Sequence, residues 1–163
     1  MNNRKTKIYL DTSVLSYLKQ DDSPERTAAT LKFWDDLKTR TDVEVYLSDV
    51  TLAEVSDCYE PKRTFMQEKL KEIRFSLLEK DEDAEKLAAQ IIELGILTDK
   101  SHDDCLHIAI AVLEACNYIV SWNFKHLVNV KTINGVRAVT NLKGFSPIDI
   151  ITPEMLLKGD EDD

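Results

Sequence analysis

A chain of 163 residues with 43% hydrophobic and 31% charged residues has the size and composition of one ordinary globular domain. No apolar run approaches the roughly 20 residues that span a bilayer, and the N-terminal stretch lacks the apolar core of a secretory signal, so we expect a cytoplasmic protein with no membrane contact. The formal net charge of −9 disfavours a broadly basic nucleic-acid-binding surface, although local basic clusters can still supply one.

The first predicted element is the stretch IYLDTS. Ile8 to Leu10 predict a short buried strand, which ends on the carboxylate of Asp11 and the hydroxyls of Thr12 and Ser13. Such a turn suits a helix N-cap, and a carboxylate at a strand end also suits a metal ion or a substrate. For Asp11 taken alone, the cap is the favoured interpretation.

Predicted strands and helices alternate along the rest of the chain. The predicted strands are 43–47, 118–122, 136–139 and 148–151, and the predicted helices are 24–40, one that begins at Ser48, an antiparallel pair within 61–94, and an apolar helix from Ser101 to about Cys116. This order predicts a three-layer α/β/α domain with a central, mostly parallel twisted sheet, plus the helical pair.

One domain is expected over residues 1–153, followed by an acidic, disordered C-terminal tail at 154–163. The three cysteines, Cys58, Cys105 and Cys116, lack CxxC spacing. We therefore expect reduced thiols in the core rather than a disulfide or a zinc site.

Oxygen-bearing side chains recur where the predicted strands end. They are Asp11 after the first strand, Glu54 two turns into the helix after the second, Asp103 and Asp104 in the first turn of the apolar helix, and Asn123 after the third strand. In a parallel sheet these positions meet at one edge. Neighbouring carboxylates repel one another unless a cation neutralises them, and oxygen ligands suit Mg²⁺ or Mn²⁺. The set therefore predicts metal-activated attack of water on phosphorus.

Each acid also has a structural explanation of its own. Glu54 alone is typical of a solvated helix face, and Asp104 can form an approximate capping box with Ser101. His107, in so apolar a helix, is expected to be a hydrogen-bonded core residue outside the site. The site interpretation is favoured by the whole set rather than by any member.

The order IYLDTSVL, VTLAEV, DDCLHIAIA and YIVSWNFKHL resembles the PIN-domain ribonucleases, including the VapC-type toxins of toxin–antitoxin pairs. The resemblance extends from about Ile8 to Ile151. It implies Mg²⁺- or Mn²⁺-dependent cleavage of RNA, frequent homodimers and often an antitoxin partner.

By position, the resemblance makes Asp11, Glu54 and Asp104 the first, second and third acids of the family, and makes Ser13 a supporting hydroxyl. The departure is Asn123, where many members of the family carry an aspartate. A second metal ion would be held less strongly there, unless the substrate phosphate or Asp103 compensates.

Four basic side chains are candidate contacts to the RNA backbone: Lys62, Arg63, Lys125 and His126. An ordinary solvated surface explains them as well. Two other functions stay open, namely a protein- or RNA-binding module that has lost catalysis and, less favoured, a phosphatase of the haloacid dehalogenase type. That family has a second aspartate two residues after the first, where this chain has Ser13.

Overall fold

The structure, a computed structural model that describes residues 4–157, is built on a five-stranded sheet. The strands are β1 (Thr6–Leu10), β2 (Val43–Ser48), β3 (Ser76–Leu78), β4 (Tyr118–Val120) and β5 (Asp149–Ile151). They are ordered β3-β2-β1-β4-β5, and every neighbouring pair is parallel. The predicted parallel sheet is confirmed.

Helices connect the strands and cover the sheet. They are α1 (Thr12–Ser16), α2 (Pro24–Thr39), α3 (Asp49–Ser56), α4 (Lys62–Leu70), α5 (Glu82–Glu93), α6 (His102–Leu113) and α7 (Val130–Lys143). The 3-10 turns Asp99–Ser101 and Pro153–Leu156 complete the elements of the described chain.

Alternate strand residues enter two separate core clusters, because successive side chains of a strand point to opposite faces. On β1, Ile8 and Leu10 pack with residues of α1, α2 and α4, whereas Tyr9 packs with residues of α5, α6 and α7. The sheet is therefore the middle of three layers, as predicted. Burial on both faces explains why β1 reads as an unbroken apolar run.

The predicted strand at 136–139 is wrong, since these residues lie within helix α7. The buried positions of this helix are Thr132, Val136, Val139 and Thr140, which recur at three- and four-residue intervals. A window of four residues hides that period and leaves only the β-branched composition visible.

The segment 61–94 contains the two predicted helices, but they are not a packed pair. Strand β3 lies between them and pairs with β2. Met66 and Leu70 of α4 belong to one core cluster, and Leu87 and Ile91 of α5 belong to the other. The predicted antiparallel packing is therefore wrong, because the two helices lie on opposite faces of the sheet.

Ordered structure continues to Leu157, beyond the predicted domain end. Leu156 and Leu157 pack against the core cluster of α2, and the Leu156 carbonyl accepts a hydrogen bond from Arg40 Nη1 (2.5 Å). The remainder of the predicted tail, residues 158–163, lies outside the described residues. Within residues 4–157, no helix has the length and apolar character needed to cross a membrane.

Candidate active site

Asp11 lies at the carboxyl end of the central strand and also caps helix α1, so the two roles considered for it are compatible. Its Oδ2 accepts hydrogen bonds from the hydroxyls of Ser13 (2.7 Å) and Ser121 (2.8 Å). The backbone N–H of Trp122 donates to Ser13 Oγ (2.9 Å), which joins the ends of β1 and β4. Asp11 is only 4% exposed, so these donors hold a buried carboxylate in one orientation.

Glu54 approaches this carboxylate from α3. Its Oε1 accepts a hydrogen bond from Thr12 Oγ1 (3.2 Å) and lies 2.5 Å from Nε2 of His107. The same Nε2 is 3.7 Å from Oδ1 of Asp11. His107 therefore bridges the first two acids from a fully buried position in α6.

A second hydrogen-bonding group fixes the other side of this imidazole. Nδ1 of His107 lies 2.5 Å from the hydroxyl of Tyr9, which in turn lies 2.6 Å from Oγ of Ser48. Ser48 is the N-cap of α3, the helix that carries Glu54. The buried residues Ser48, Tyr9 and His107 thus form a hydrogen-bonded series that ends on the partly exposed Glu54 and links β1, β2, α3 and α6.

The neighbours of His107 favour its protonated form. Burial lowers the pKa of His107, but the Tyr9 hydroxyl, the hydrogen bond to Glu54 and the charge of Asp11 raise it, and the pKa is well above the ordinary 6.5. A protonated imidazole between Glu54 and Asp11 would offset part of their negative charge.

Asp104 enters the site from the first turn of α6, beside His126. Its Oδ2 lies 2.9 Å from Nδ1 of His126. Burial raises the pKa of Asp104, and the charges of Asp11 and Glu54 raise it further, against the opposing effect of His107 and His126. The three acids therefore share one electrostatic environment.

Asn123 organises the loop after β4. Its Oδ1 accepts the backbone N–H of His126 (3.0 Å), and its own N–H donates to Ser121 Oγ (2.9 Å). These bonds place His126 beside Asp104 and tie the loop to the hydroxyl that holds Asp11. Its amide oxygen is thus already used within the loop.

In each of the three acids, only one of the two carboxylate oxygens accepts hydrogen bonds from the described part of the chain. They fall on Oδ2 of Asp11, Oε1 of Glu54 and Oδ2 of Asp104. From residues 4–157, the second oxygen of each carboxylate accepts no hydrogen bond. Carboxylates that each have one oxygen without a hydrogen bond are suitable ligands for a hard divalent cation. Within the same range, however, no three acid, His or Cys side chains already form a metal-binding group.

The remaining predicted residues lie further out. Asp103 is exposed and lines a surface cavity with Glu54. Lys62 donates to Gln20 Oε1 (2.7 Å), and Arg63 forms an ion pair with Glu60 (3.1 Å). Lys125 is exposed beside His126. Of the four predicted RNA contacts, only His126 touches one of the three acids within residues 4–157.

Two polar residues at the centre of the site, His107 and Ser121, were not assigned to it from the sequence. His107 is indeed a buried, hydrogen-bonded residue, as predicted, but its partners are site residues. The available signal was its spacing of three residues from Asp104, which places both on one face of α6. Ser121 directly follows β4 as Asp11 directly follows β1, and this correspondence is visible only once the two strands are known to pair.

Comparisons with known proteins agree with this geometry. The family model of the PIN domain matches residues 8–125. The solved structure of VapBC2 from Rickettsia felis, bound to a DNA fragment from its promoter, contains a chain that is 16% identical, with a TM-score of 0.54 and coverage of 90% of this chain and 98% of that one. VapBC-5 from Mycobacterium tuberculosis, a member of the VapBC family of toxin–antitoxin systems, gives 20% identity, a TM-score of 0.50 and the same coverages, 90% and 98%. No curated protein matches the chain.

At such low identities the structural likeness is one of fold. The family match is more specific, because residues 8–125 include the carboxyl ends of β1, β2 and β4 and all three acids. PIN domains are a family of nucleases. By its sequence and by its fold, this chain belongs to the PIN domain family.

Proposed function

We propose that this protein is a Mg²⁺- or Mn²⁺-dependent endoribonuclease, with Asp11, Glu54 and Asp104 as the metal ligands. The observation that carries the proposal is that three acids at the carboxyl edge of a parallel sheet interact electrostatically, and that one oxygen of each accepts no hydrogen bond from residues 4–157. That edge is where open α/β sheets bind their ligands.

The residues of the chain have distinct roles in this proposal. Ser13 and Ser121 orient Asp11, and His107 and Thr12 orient Glu54. Asn123 supports the site through the loop that carries His126, and Asp103 adds negative charge at its rim. A bound divalent ion would supply the activation of water and would neutralise the charge that develops on the phosphate. Lys62, Arg63, Lys125 and His126 stay candidate contacts to the RNA backbone.

The test is cleavage of end-labelled RNA by the purified chain in Mn²⁺. Asp11→Asn keeps the size of the side chain and removes its charge, so cleavage should fall at least 100-fold while the urea unfolding curve keeps its shape. EDTA should have the same effect on the parent. Asp149→Asn is the matched control, because Asp149 lies at the amino end of β5, whereas the three acids lie at the carboxyl ends of the strands. Full activity in Asp11→Asn would contradict the proposal.

We also propose that the chain is the toxin of a toxin–antitoxin pair. The likeness in fold to VapBC structures supports this proposal. The excess of acid in the site suits an antitoxin that inserts a basic side chain among the carboxylates. A cytoplasmic homodimer is the expected form of the free protein, and sedimentation of the purified chain tests the dimer.

A second candidate is a PIN-like protein- or RNA-binding module with weak or no catalysis. It is favoured by the neutral Asn123 and by the absence, in residues 4–157, of a preformed metal-binding group. Asn123→Asp separates the two functions. A rise in Mn²⁺ affinity and cleavage would identify an enzyme limited at this position, whereas inactivity of both forms towards a broad set of RNAs would favour the module.

A further inference from the structure

Beside the site lies a cluster that the proposed chemistry does not use, made of Tyr17, Arg26, Trp122 and Phe124. The Arg26 guanidinium carbon is 4.8 Å from the ring centre of Phe124 and 5.7 Å from those of Tyr17 and Trp122. The Trp122 ring is 5.9 Å from Tyr17 and 6.2 Å from Phe124. We call these four residues the aromatic cluster.

The aromatic cluster is anchored to the catalytic edge of the sheet. The indole N–H of the buried Trp122 donates to Thr30 Oγ1 (2.8 Å), and its backbone N–H donates to Ser13, the residue that orients Asp11. Phe124 directly follows Asn123 and is 42% exposed. An accessible aromatic ring thus lies one residue away from the proposed active site, on a rigid support.

Arg26 lies among aromatic rings rather than beside an acid of the described chain. Its Nη1 donates to the Tyr17 hydroxyl (3.2 Å), and no carboxylate of residues 4–157 lies within 4.0 Å of it. Other arginines of the described chain, such as Arg40, Arg63 and Arg137, form ion pairs. A half-buried guanidinium among aromatic rings is suited to a planar or an anionic ligand from outside the chain.

Resting on the proposed function, we propose that Phe124 and Arg26 form a subsite for an unpaired nucleobase of the RNA strand, next to the phosphate that is cut. Every base presents a π-face, so an aromatic ring beside arginine binds single-stranded RNA with little preference for sequence. The position beside Asn123 favours RNA over a protein ligand, because Phe124 lies in the loop that carries His126, the neighbour of Asp104. Within a duplex the neighbouring bases cover both faces of each base, so the subsite requires single-stranded RNA.

The test measures binding of single-stranded RNA 12-mers to the Asp11→Asn chain, which does not cut them under the proposed function. One abasic nucleotide is moved through each position of the oligonucleotide. At one position the abasic site should weaken binding about 5-fold to 100-fold, the usual range for loss of one base stacked on an aromatic ring. Phe124→Leu should weaken binding of the intact RNA by the same factor and should abolish the penalty at that position.

Salt dependence separates stacking from phosphate contact. Phe124→Leu removes no charge and should leave the slope of log Kd against log salt unchanged. Arg26→Lys keeps the charge but loses the planar fork, and should therefore also weaken binding at constant slope. Phe65→Leu is the matched control, because Phe65 also lies near two cations, Lys19 (5.4 Å) and Lys69 (5.6 Å), but on α4. It should bind RNA as the parent does.

The proposed subsite would be overturned if the abasic nucleotide weakened binding equally in the Asp11→Asn chain with and without Phe124→Leu. It would also be overturned by unchanged RNA affinity in Phe124→Leu together with loss of binding to a protein partner. Cleavage by the otherwise unaltered chain is measured alongside. If the unaltered chain cuts RNA and Phe124→Leu cuts it equally well at subsaturating RNA, the proposed subsite is wrong and the proposed nuclease function is supported. If the unaltered chain neither binds nor cuts any RNA, both proposals are wrong.

Discussion

At the scale of single residues, His107 connects the buried core to the proposed metal ligands. Its two ring nitrogens contact Glu54 and Tyr9, and Nε2 lies 3.7 Å from Oδ1 of Asp11. Removal of a group that orients a metal ligand in this way commonly lowers metal affinity or activity 10- to 100-fold. His107 is therefore a positioning residue rather than a ligand.

We predict that His107→Gln raises the Mn²⁺ concentration for half-maximal cleavage by about 10-fold to 100-fold, because Glu54 loses the group that orients it. A metal titration of the cleavage rate measures this change. His102→Gln is the matched control, since His102 lies on the same helix but is exposed and pairs with Glu85 (3.1 Å). An unchanged Mn²⁺ requirement in a folded His107→Gln chain would contradict the role.

The cysteines give a second prediction at this scale. Burial raises the pKa of both Cys105 and Cys116 to about 12, whereas Cys58 is partly exposed. Because the thiolate is the reactive form, a thiol reagent at pH 8 should modify only Cys58 in the native chain and all three thiols in urea. Cys58→Ala should abolish the native reaction. Rapid native modification of Cys105 would contradict the packing of α6.

Two of the proposed acids could be located from the sequence because they lie at the end or the start of an element that local pattern reveals. Asp11 ends an apolar strand, and Asp104 begins an apolar helix. The groups that orient them were not accessible. Tyr9 appears in the sequence as an ordinary strand residue and Ser48 as the start of a helix. The hydrogen bonds that link Ser48 through Tyr9 to His107 arise only from the pairing of β1 with β2 and the packing of α6 on both.

At the scale of elements, local pattern failed where tertiary contacts decide the structure. Strand β3 has three residues, of which Leu77 is 48% exposed. Its conformation depends on hydrogen bonding to β2 rather than on its own composition, and β propensity is known to vary with context in this way. In contrast, β1 and α6 are apolar over most of their lengths, so their types could be predicted from sequence.

Helix α7 gives a prediction of its own. A glycine inside a helix usually costs about 1 kcal/mol relative to alanine. At Gly135, however, an added Cβ would lie 2.7 Å from Cγ1 and 2.8 Å from Cγ2 of Ile96. We predict that Gly135→Ala lowers the free energy of unfolding by about 1–3 kcal/mol, since the contact forces a shift in the core.

Urea unfolding measures this effect, with Asn134→Ala as the control at the adjacent exposed position of α7. That control should be neutral or slightly stabilising because alanine is the better helix former. The double variant Gly135→Ala with Ile96→Val should recover part of the loss. A Gly135→Ala chain more stable than the parent would show that α7 does not pack on Ile96 as described.

At the scale of the whole molecule, the fold brings residues that are far apart in sequence to one edge of the sheet. Asp11, Glu54, Asp104 and Asn123 come from four different connections. The parallel order β2-β1-β4 places the carboxyl ends of these strands side by side. This arrangement concentrates negative charge at the site, and the repulsion between the acids opposes folding.

We predict that Asp104→Asn stabilises the metal-free chain while abolishing cleavage. Burial and the charges of Asp11 and Glu54 raise the pKa of Asp104 above its unfolded value, so the ionised carboxylate opposes folding at neutral pH. The free energy of unfolding in EDTA at pH 7.5 should rise by about 1 kcal/mol.

The gain should shrink as the pH falls through the raised pKa of Asp104, because the carboxylate of the parent then takes up a proton. Excess Mn²⁺ should stabilise the parent more than the variant, since the variant lacks a ligand. Asp35→Asn, at an exposed ion pair with Lys38, should change stability by less than about 0.5 kcal/mol. A less stable Asp104→Asn chain in EDTA would contradict the proposed repulsion.

The central claim is that these carboxylates support attack of water on an RNA phosphodiester, and the nature of the cleavage products tests it most directly. An RNA that the chain cuts at a defined position is remade with a single 2′-deoxynucleotide on the 5′ side of that bond, and both RNAs are incubated in Mn²⁺. Attack by water needs no 2′-hydroxyl, so both should be cut, leaving a 5′-phosphate and a 3′-hydroxyl. Resistance of the 2′-deoxy RNA, with a cyclic phosphate on the products of the parent RNA, would contradict the account.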